Sequence, residues 1–243
     1  MRVTGGRPIQ GASVGILMLE SRFPRIPGDM GYAATWRFPV LYRVVRDASP
    51  GRVVRERAEG LLPAFIEAGR QLQADGVDGI TTSCGFLSLF QQEMREALDV
   101  PVLTSSLMQV AQIDRMLPRG RRCGVLTVSA SALTADHLRG AGAPEDTPIG
   151  STEGGTEFTR VFLNDEPELD LQAAEADNVA AARDLQARHP EVGAMVLECT
   201  NMTPYAAAIR AATGVPVYAM PGFVGWFQSG LQPRRWPLHE GPA

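Results

Sequence analysis

Apolar positions along this chain fall into short solid runs separated by longer stretches with helical spacing. Val14 to Leu19, Val40 to Val45, Gly79 to Thr82, Pro101 to Leu103, Cys123 to Val128 and Ala194 to Leu197 have the length and residue types of buried strands. Pro148 to Thr152 is a weaker run of the same kind. Between them, apolar residues recur every three or four positions over 52–74, 87–98, 105–117, 131–138, 157–163, 169–188 and 221–231, which predicts helices. Ser49-Pro50 reads as a helix start, and Pro63 inside the first long segment predicts a kink or a division into two. Pro24 to Gly31 reads as a long loop after the first strand. Strands alternating with helices argue for parallel sheets covered on both faces.

The pattern repeats. A shift of 115 residues carries Cys84 onto Cys199, Ala97 onto Ala212, and Val100-Pro101-Val102 onto Val215-Pro216-Val217. Each copy reads as strand, cysteine, helix, strand. Cys123-Gly124-Val125-Leu126 also resembles Val14-Gly15-Ile16-Leu17, which places a boundary between halves near 117–122. The expected fold is α/β with two pseudo-symmetric halves, each a short, mostly parallel sheet flanked by helices, and an active-site cleft between them. Residues 1–118 form the first half, 119–219 the second, and 220–243 pack back on the first. The proline-rich end, Arg234 to Ala243, reads as frayed. Ligands of such sheets bind beyond the carboxyl ends of the strands, so Cys84 and Cys199 are expected to face one another across the cleft.

Composition narrows the chemistry. At 243 residues, 44% hydrophobic and 21% charged, the chain can form one large core or two modest ones. The net charge of -4, with scattered arginines, predicts neither nucleic acid nor membrane as partner and leaves a small-molecule substrate. No apolar run is long enough to span a bilayer and the start is unlike a secretory signal, so a cytoplasmic location is expected. Cys84, Cys123 and Cys199 make neither a disulfide framework nor a zinc spacing, so no metal is expected. All 23 basic residues are arginine, which excludes a lysine Schiff base and the usual attachment of pyridoxal phosphate.

A thiol at a helix start feels unpaired N–H groups that lower its pKa, so thiolate is expected near neutral pH. One cysteine can then take a proton from one face of a carbon acid while the other returns one to the opposite face, inverting a stereocentre without any cofactor. Backbone N–H groups at Gly85 and Phe86 and the side chains of Thr82, Ser83, Thr200 and Asn201 are candidate oxyanion donors. Cys123 reads as core. Arg22 and Arg25 read as loop arginines that could also clamp a carboxylate, and His137, His189 and His239 have no ligand spacing.

The paired cysteines, the duplicated layout and Cys199-Thr200 resemble the cofactor-independent aspartate/glutamate/hydantoin racemase superfamily, over nearly the whole chain. The resemblance implies that Cys84 and Cys199 are the two acid/base groups. It also implies that Glu20-Ser21 stands where glutamate racemases carry an Asp-Ser pair at the substrate, and that the assembly is a homodimer or a higher homo-oligomer. Two departures bear on the substrate. Gly85-Phe86 replaces the Asn-Thr that usually follows the first cysteine, and Asn201 replaces an acid or His. Phe86 and Met202 imply a less polar pocket than one made for a second carboxylate. The leading expectation is therefore racemisation or epimerisation of a small carboxylate such as an amino acid. Hydantoin racemisation, an arylmalonate decarboxylase-like or maleate isomerase-like reaction, and binding without chemistry are the alternatives.

Overall fold

A computed structural model describes Arg2 and residues 5–234 of the chain. The first half contains β1 (Val14–Leu19), β2 (Val40–Val45), α1 (Pro50–Val54), α2 (Leu62–Asp75), β3 (Gly79–Thr82), α3 (Gln91–Ala97), β4 (Val102–Leu103) and α4 (Val110–Met116). The second contains β5 (Arg122–Thr127), α5 (Ala135–Gly140), β6 (Ile149–Ser151), α6 (Phe158–Asn164), α7 (Leu171–Arg188), β7 (Val192–Leu197), α8 (Ala206–Thr213) and β8 (Val217–Tyr218), and α9 (Met220–Leu231) follows. Two four-stranded sheets result, ordered β2-β1-β3-β4 and β6-β5-β7-β8, with every pairing parallel. All six residues of β1 are buried, because a central parallel strand has helices on both faces, and this makes its sequence a solid apolar run.

The repeat is structural as well. Gly85–Phe90 and Thr200–Tyr205 are 3-10 turns, followed by α3 and α8 and then by β4 and β8, and the same shift of 115 residues relates the starts of all three pairs. One hydrophobic cluster runs through both halves, from Leu17, Phe65 and Leu72 to Val125, Leu185 and Val196. A second, in which Val14, Ile16 and Met18 meet Met220 and Val224, fixes α9 against the first sheet. Gly79 permits that approach: a Cβ there would lie 2.6 Å from side-chain carbons of Phe227 and Leu231. Residues 235–243, where a frayed end was expected, lie outside the described residues.

Several helices differ from the pattern-based expectation. The segment 52–74 is divided, with Arg57, Ala58 and Gly60 at positive φ between α1 and α2. Pro63 sits in the first turn of α2, where its missing N–H costs nothing, whereas a continuous helix would drive its ring into the preceding turn. The helices after the two cysteines open as 3-10 turns, so the regular α-helix starts only at Gln91 and Ala206. The helix expected over 131–138 lies at Ala135–Gly140 instead. Ser129 and Ser131 bond their hydroxyls to Glu153, which competes with helix formation, and Thr134 caps the helix in a reciprocal pair with His137. Among the described residues no helix is long and apolar enough to cross a membrane.

Candidate active site

Both cysteine turns are built alike. The residue before each cysteine extends its strand by one hydrogen bond, Ser83 N–H to Leu17 O at 2.9 Å and Glu198 N–H to Leu126 O at 2.8 Å. The chain then leaves the sheet, and Cys84 and Cys199 stand at the starts of their 3-10 turns in extended conformation. The turns touch. Thr200 Oγ1 donates to Ser83 O at 2.7 Å, and Ser106 Oγ donates to Leu197 O at 2.7 Å, tying the first half to the end of β7.

A small cavity of about 30 Å³ lies between the halves, lined by Cys84 and Cys199 together with Ser83, Phe86, Glu198, Thr200 and Asn201. That is room for a water molecule or so, and a larger ligand has to part the walls. The walls are apolar: Leu19, Phe23, Val54, Val128, Phe162 and Leu163. Phe23 meets Phe162 edge-on with centroids 4.8 Å apart, and Phe86 meets His137 edge-on at 5.0 Å. Burial lowers the pKa of His137 to about 4, so at neutral pH it is an uncharged support for Phe86.

The loop after β1 supplies the polar side of the site. Arg25 lines the cavity, lies over the Phe23 ring at 4.4 Å, and donates to Asp29 Oδ1 and Ser21 Oγ, each at 2.8 Å. Asp29, 2% exposed, also accepts from Gly31 N–H at 2.6 Å and from Asn201 Nδ2. Asn201 Oδ1 in turn accepts from Cys199 Sγ at 3.6 Å, so Cys199 ends a chain of contacts reaching back to Arg25. Asp165 pins the loop by accepting from the N–H groups of Arg22 (2.6 Å) and Phe23 (3.1 Å).

Several expected site residues stand elsewhere. Glu20 turns its carboxylate away from the cavity to Arg46 at 2.6 Å and Asp47 N–H at 2.9 Å, since a left-handed Asp47 presents its amide there. Ser21 reaches the site only through Arg25. Thr82 is fully buried, donates to Thr104 O at 2.6 Å and accepts from Cys84 N–H at 3.4 Å, so its hydroxyl ties the first cysteine turn to the sheet and does not line the cavity. Gly85 does not line the cavity and packs on Glu198, where an added Cβ would lie 2.5 Å from Glu198 O. Arg22 is exposed at Asp165, Met202 is buried beneath the turn, and Cys123 is buried core. Among the described residues no group of three His, Cys, Asp or Glu side chains could hold a metal ion.

The expected lowering of the thiol pKa values is overturned. Burial raises both, and the Glu198 carboxylate beside them acts in the same direction. The Phe86 N–H aimed at Cys84 and the Asn201 N–H aimed at Cys199 lower them, as a helix start should, but do not outweigh the desolvation. Glu198, which pattern reading passed over, joins the two thiols in the site; burial pushes its pKa up to about 8, opposed by the Thr127 hydroxyl at 2.6 Å. A glutamate closing an otherwise apolar strand run was the available signal, because a carboxyl there is bound to be buried. Asp29 carried no such signal.

The Asp/Glu/hydantoin racemase family model matches residues 46–221, spanning both cysteine turns. The chain belongs to this family. A dimethylsulfoniopropionate lyase of Durusdinium sp. clade D is 29% identical over 96% of this chain and 82% of its own length. Dimethylsulfoniopropionate lyase 7 of Emiliania huxleyi is 28% identical over 85% of this chain, which spans 63% of that protein. Unliganded arylmalonate decarboxylase shares the fold, with a TM-score of 0.56 at 16% identity, over 95% of this chain and 96% of that one.

Proposed function

We propose that the chain is a carbon-acid lyase acting on dimethylsulfoniopropionate or a close β-substituted carboxylate. In such a reaction a base removes the proton beside the carboxylate, the electron pair forms a C=C bond, and the β C–S bond breaks to release a neutral sulfide. The observation that carries the reading is the lining of the two-thiol cavity. A single guanidinium, Arg25, can meet a carboxylate, while Phe23, Phe86 and Phe162 offer ring faces and edges. A sulfonium carries diffuse positive charge on methyl groups and is held by aromatic and apolar walls, whereas an amino acid's ammonium requires several hydrogen-bond acceptors. The likeness to two lyases over most of the chain supports the same reading.

Racemisation of a small carboxylate is the second reading. It is favoured by one feature, the arrival of the two thiols from opposite halves, which suits proton removal and return on opposite faces. Proton NMR in D2O separates the two. Incubation with dimethylsulfoniopropionate is expected to yield acrylate and dimethyl sulfide. Exchange of the α-proton of single-enantiomer amino acids or hydantoins with loss of optical rotation, and no acrylate, would replace the lyase reading by the racemase one.

A further inference from the structure

We propose that the Glu198 carboxylate, and not a thiolate, is the base of the resting site, and that it acts through Cys84: as Cys84 Sγ takes a carbon-bound proton from the ligand, its own proton passes to Glu198. This rests on the carbon-acid reading for its substrate but not for its geometry. Side chains alternate along an extended strand, so Glu198 points away from its neighbour Cys199 and across to the other cysteine turn. There it lies against Gly85, whose added Cβ would collide with Glu198 Oε1. The carboxyl is fully buried, Oε2 is held by Thr127 Oγ1, Oε1 has no hydrogen-bond partner, and Glu198 is one of the residues lining the cavity. Cys84 and Glu198 line the same cavity, and a carboxyl oxygen left bare there is open to accept a proton from that thiol.

The charged and titratable groups facing Glu198 are Cys84 from the turn after β3, Cys199 from its own turn, and Arg25 with Asp29 from the loop after β1; β5 contributes only the Thr127 hydroxyl, and α1 and α6 present apolar side chains. Arg25 is bound to Asp29, and Asp29 to Asn201, so neither neutralises Glu198 directly. Repulsion between Glu198 and the two sulfurs allows the cluster one negative charge at a time. Burial raises the thiols further than Glu198, so the charge, which forms as pH rises toward 8, sits on the carboxylate and not on sulfur, and the ionised fraction is the active one. In turnover the ligand C–H bond breaks, an S–H bond forms with that hydrogen, the former S–H bond breaks, and an O–H bond forms on Glu198. The electron pair of the C–H bond becomes the new C=C bond, the pair of the β C–S bond leaves with the neutral sulfide, and Glu198 later returns its proton to solvent.

The test compares wild type with Glu198→Gln, which keeps the size and the Thr127 contact. In the free protein, glutamate labelled with 13C at the side-chain carboxyl should show one carboxyl titrating near pH 8, with thiolate absorbance appearing only at higher pH. The signal should vanish in the variant. In turnover, kcat/KM of Glu198→Gln should fall at least tenfold at neutral pH and recover toward wild type in alkali, its acid limb displaced upward. A limb displaced downward, or thiolate absorbance below the carboxyl titration, would overturn the proposal by making Glu198 a mere suppressor of thiolate. An unchanged pH profile with lower amplitude would overturn it as a structural effect. If wild type turns over none of the substrates, the function reading fails, and the titration still decides the role of Glu198.

Discussion

The two cysteine turns share a backbone plan and differ in what surrounds each sulfur. At the first, Ser83 precedes the cysteine and spends its hydroxyl on Leu19 N–H at 3.1 Å, a purely structural bond. At the second, the matching place holds Glu198, whose carboxyl crosses to the first turn. Phe86 follows Cys84 where Asn201 follows Cys199, so one sulfur sees a ring and the other a polar chain through Asn201 and Asp29 to Arg25. Duplication explains why there are two thiols. Under the proposal above, the asymmetry of their neighbours gives them different tasks, with Cys84 served by the Glu198 carboxylate and Cys199 held as a hydrogen-bond donor to Asn201.

The largest test of that division is removal of each thiol. Cys84→Ser is expected to lower kcat/KM by about 10²- to 10⁴-fold, the range of a general base. Cys199→Ala, which removes the donor to Asn201, should lose only about tenfold, the worth of one hydrogen bond. Steady-state assays of purified variants read both. Equal, severe losses would erase the distinction and favour two-thiol racemisation.

Next comes the contact between the turns. Gly85→Ala places a Cβ 2.5 Å from Glu198 O, a backbone atom that cannot swing aside, so urea unfolding should show a loss of about 1–3 kcal/mol. An unaffected midpoint would mean the turns are less tightly joined than the structure shows.

The pH dependence of stability follows from Glu198. Its pKa in the folded state, about 8, lies above its ordinary value of 4.5, so between those limits the folded chain binds a proton that the unfolded chain has released. Its contribution is fully present below pH 4.5 and is lost as pH rises toward 8. Unfolding free energies across that interval should therefore decline in wild type more steeply than in Glu198→Gln. Parallel curves would mean that Glu198 is ionised when folded.

The smallest effect is expected at Thr200→Ala, which removes the bond to Ser83 O and should cost about 1 kcal/mol by the same unfolding measurement. Turnover falling more than tenfold would show that Thr200 touches the ligand as well.

Local, periodic features were readable from the residues alone. Solid apolar runs marked the central strands β1, β5 and β7 because a central parallel strand is buried on both faces, and the recurrence at a shift of 115 marked both cysteine turns and the two-sheet plan. Ser83, Phe86, Thr200 and Asn201 reached the cavity simply as neighbours of the cysteines at strand ends. What stayed hidden depends on pairs far apart in the chain: Thr127 with Glu198, Asn201 with Asp29, and Glu20 drawn off by Arg46. The direction of the thiol pKa shifts belongs with these. An N–H at a turn start is a local feature, but desolvation is set by everything packed around the sulfur, and packing outweighed the turn.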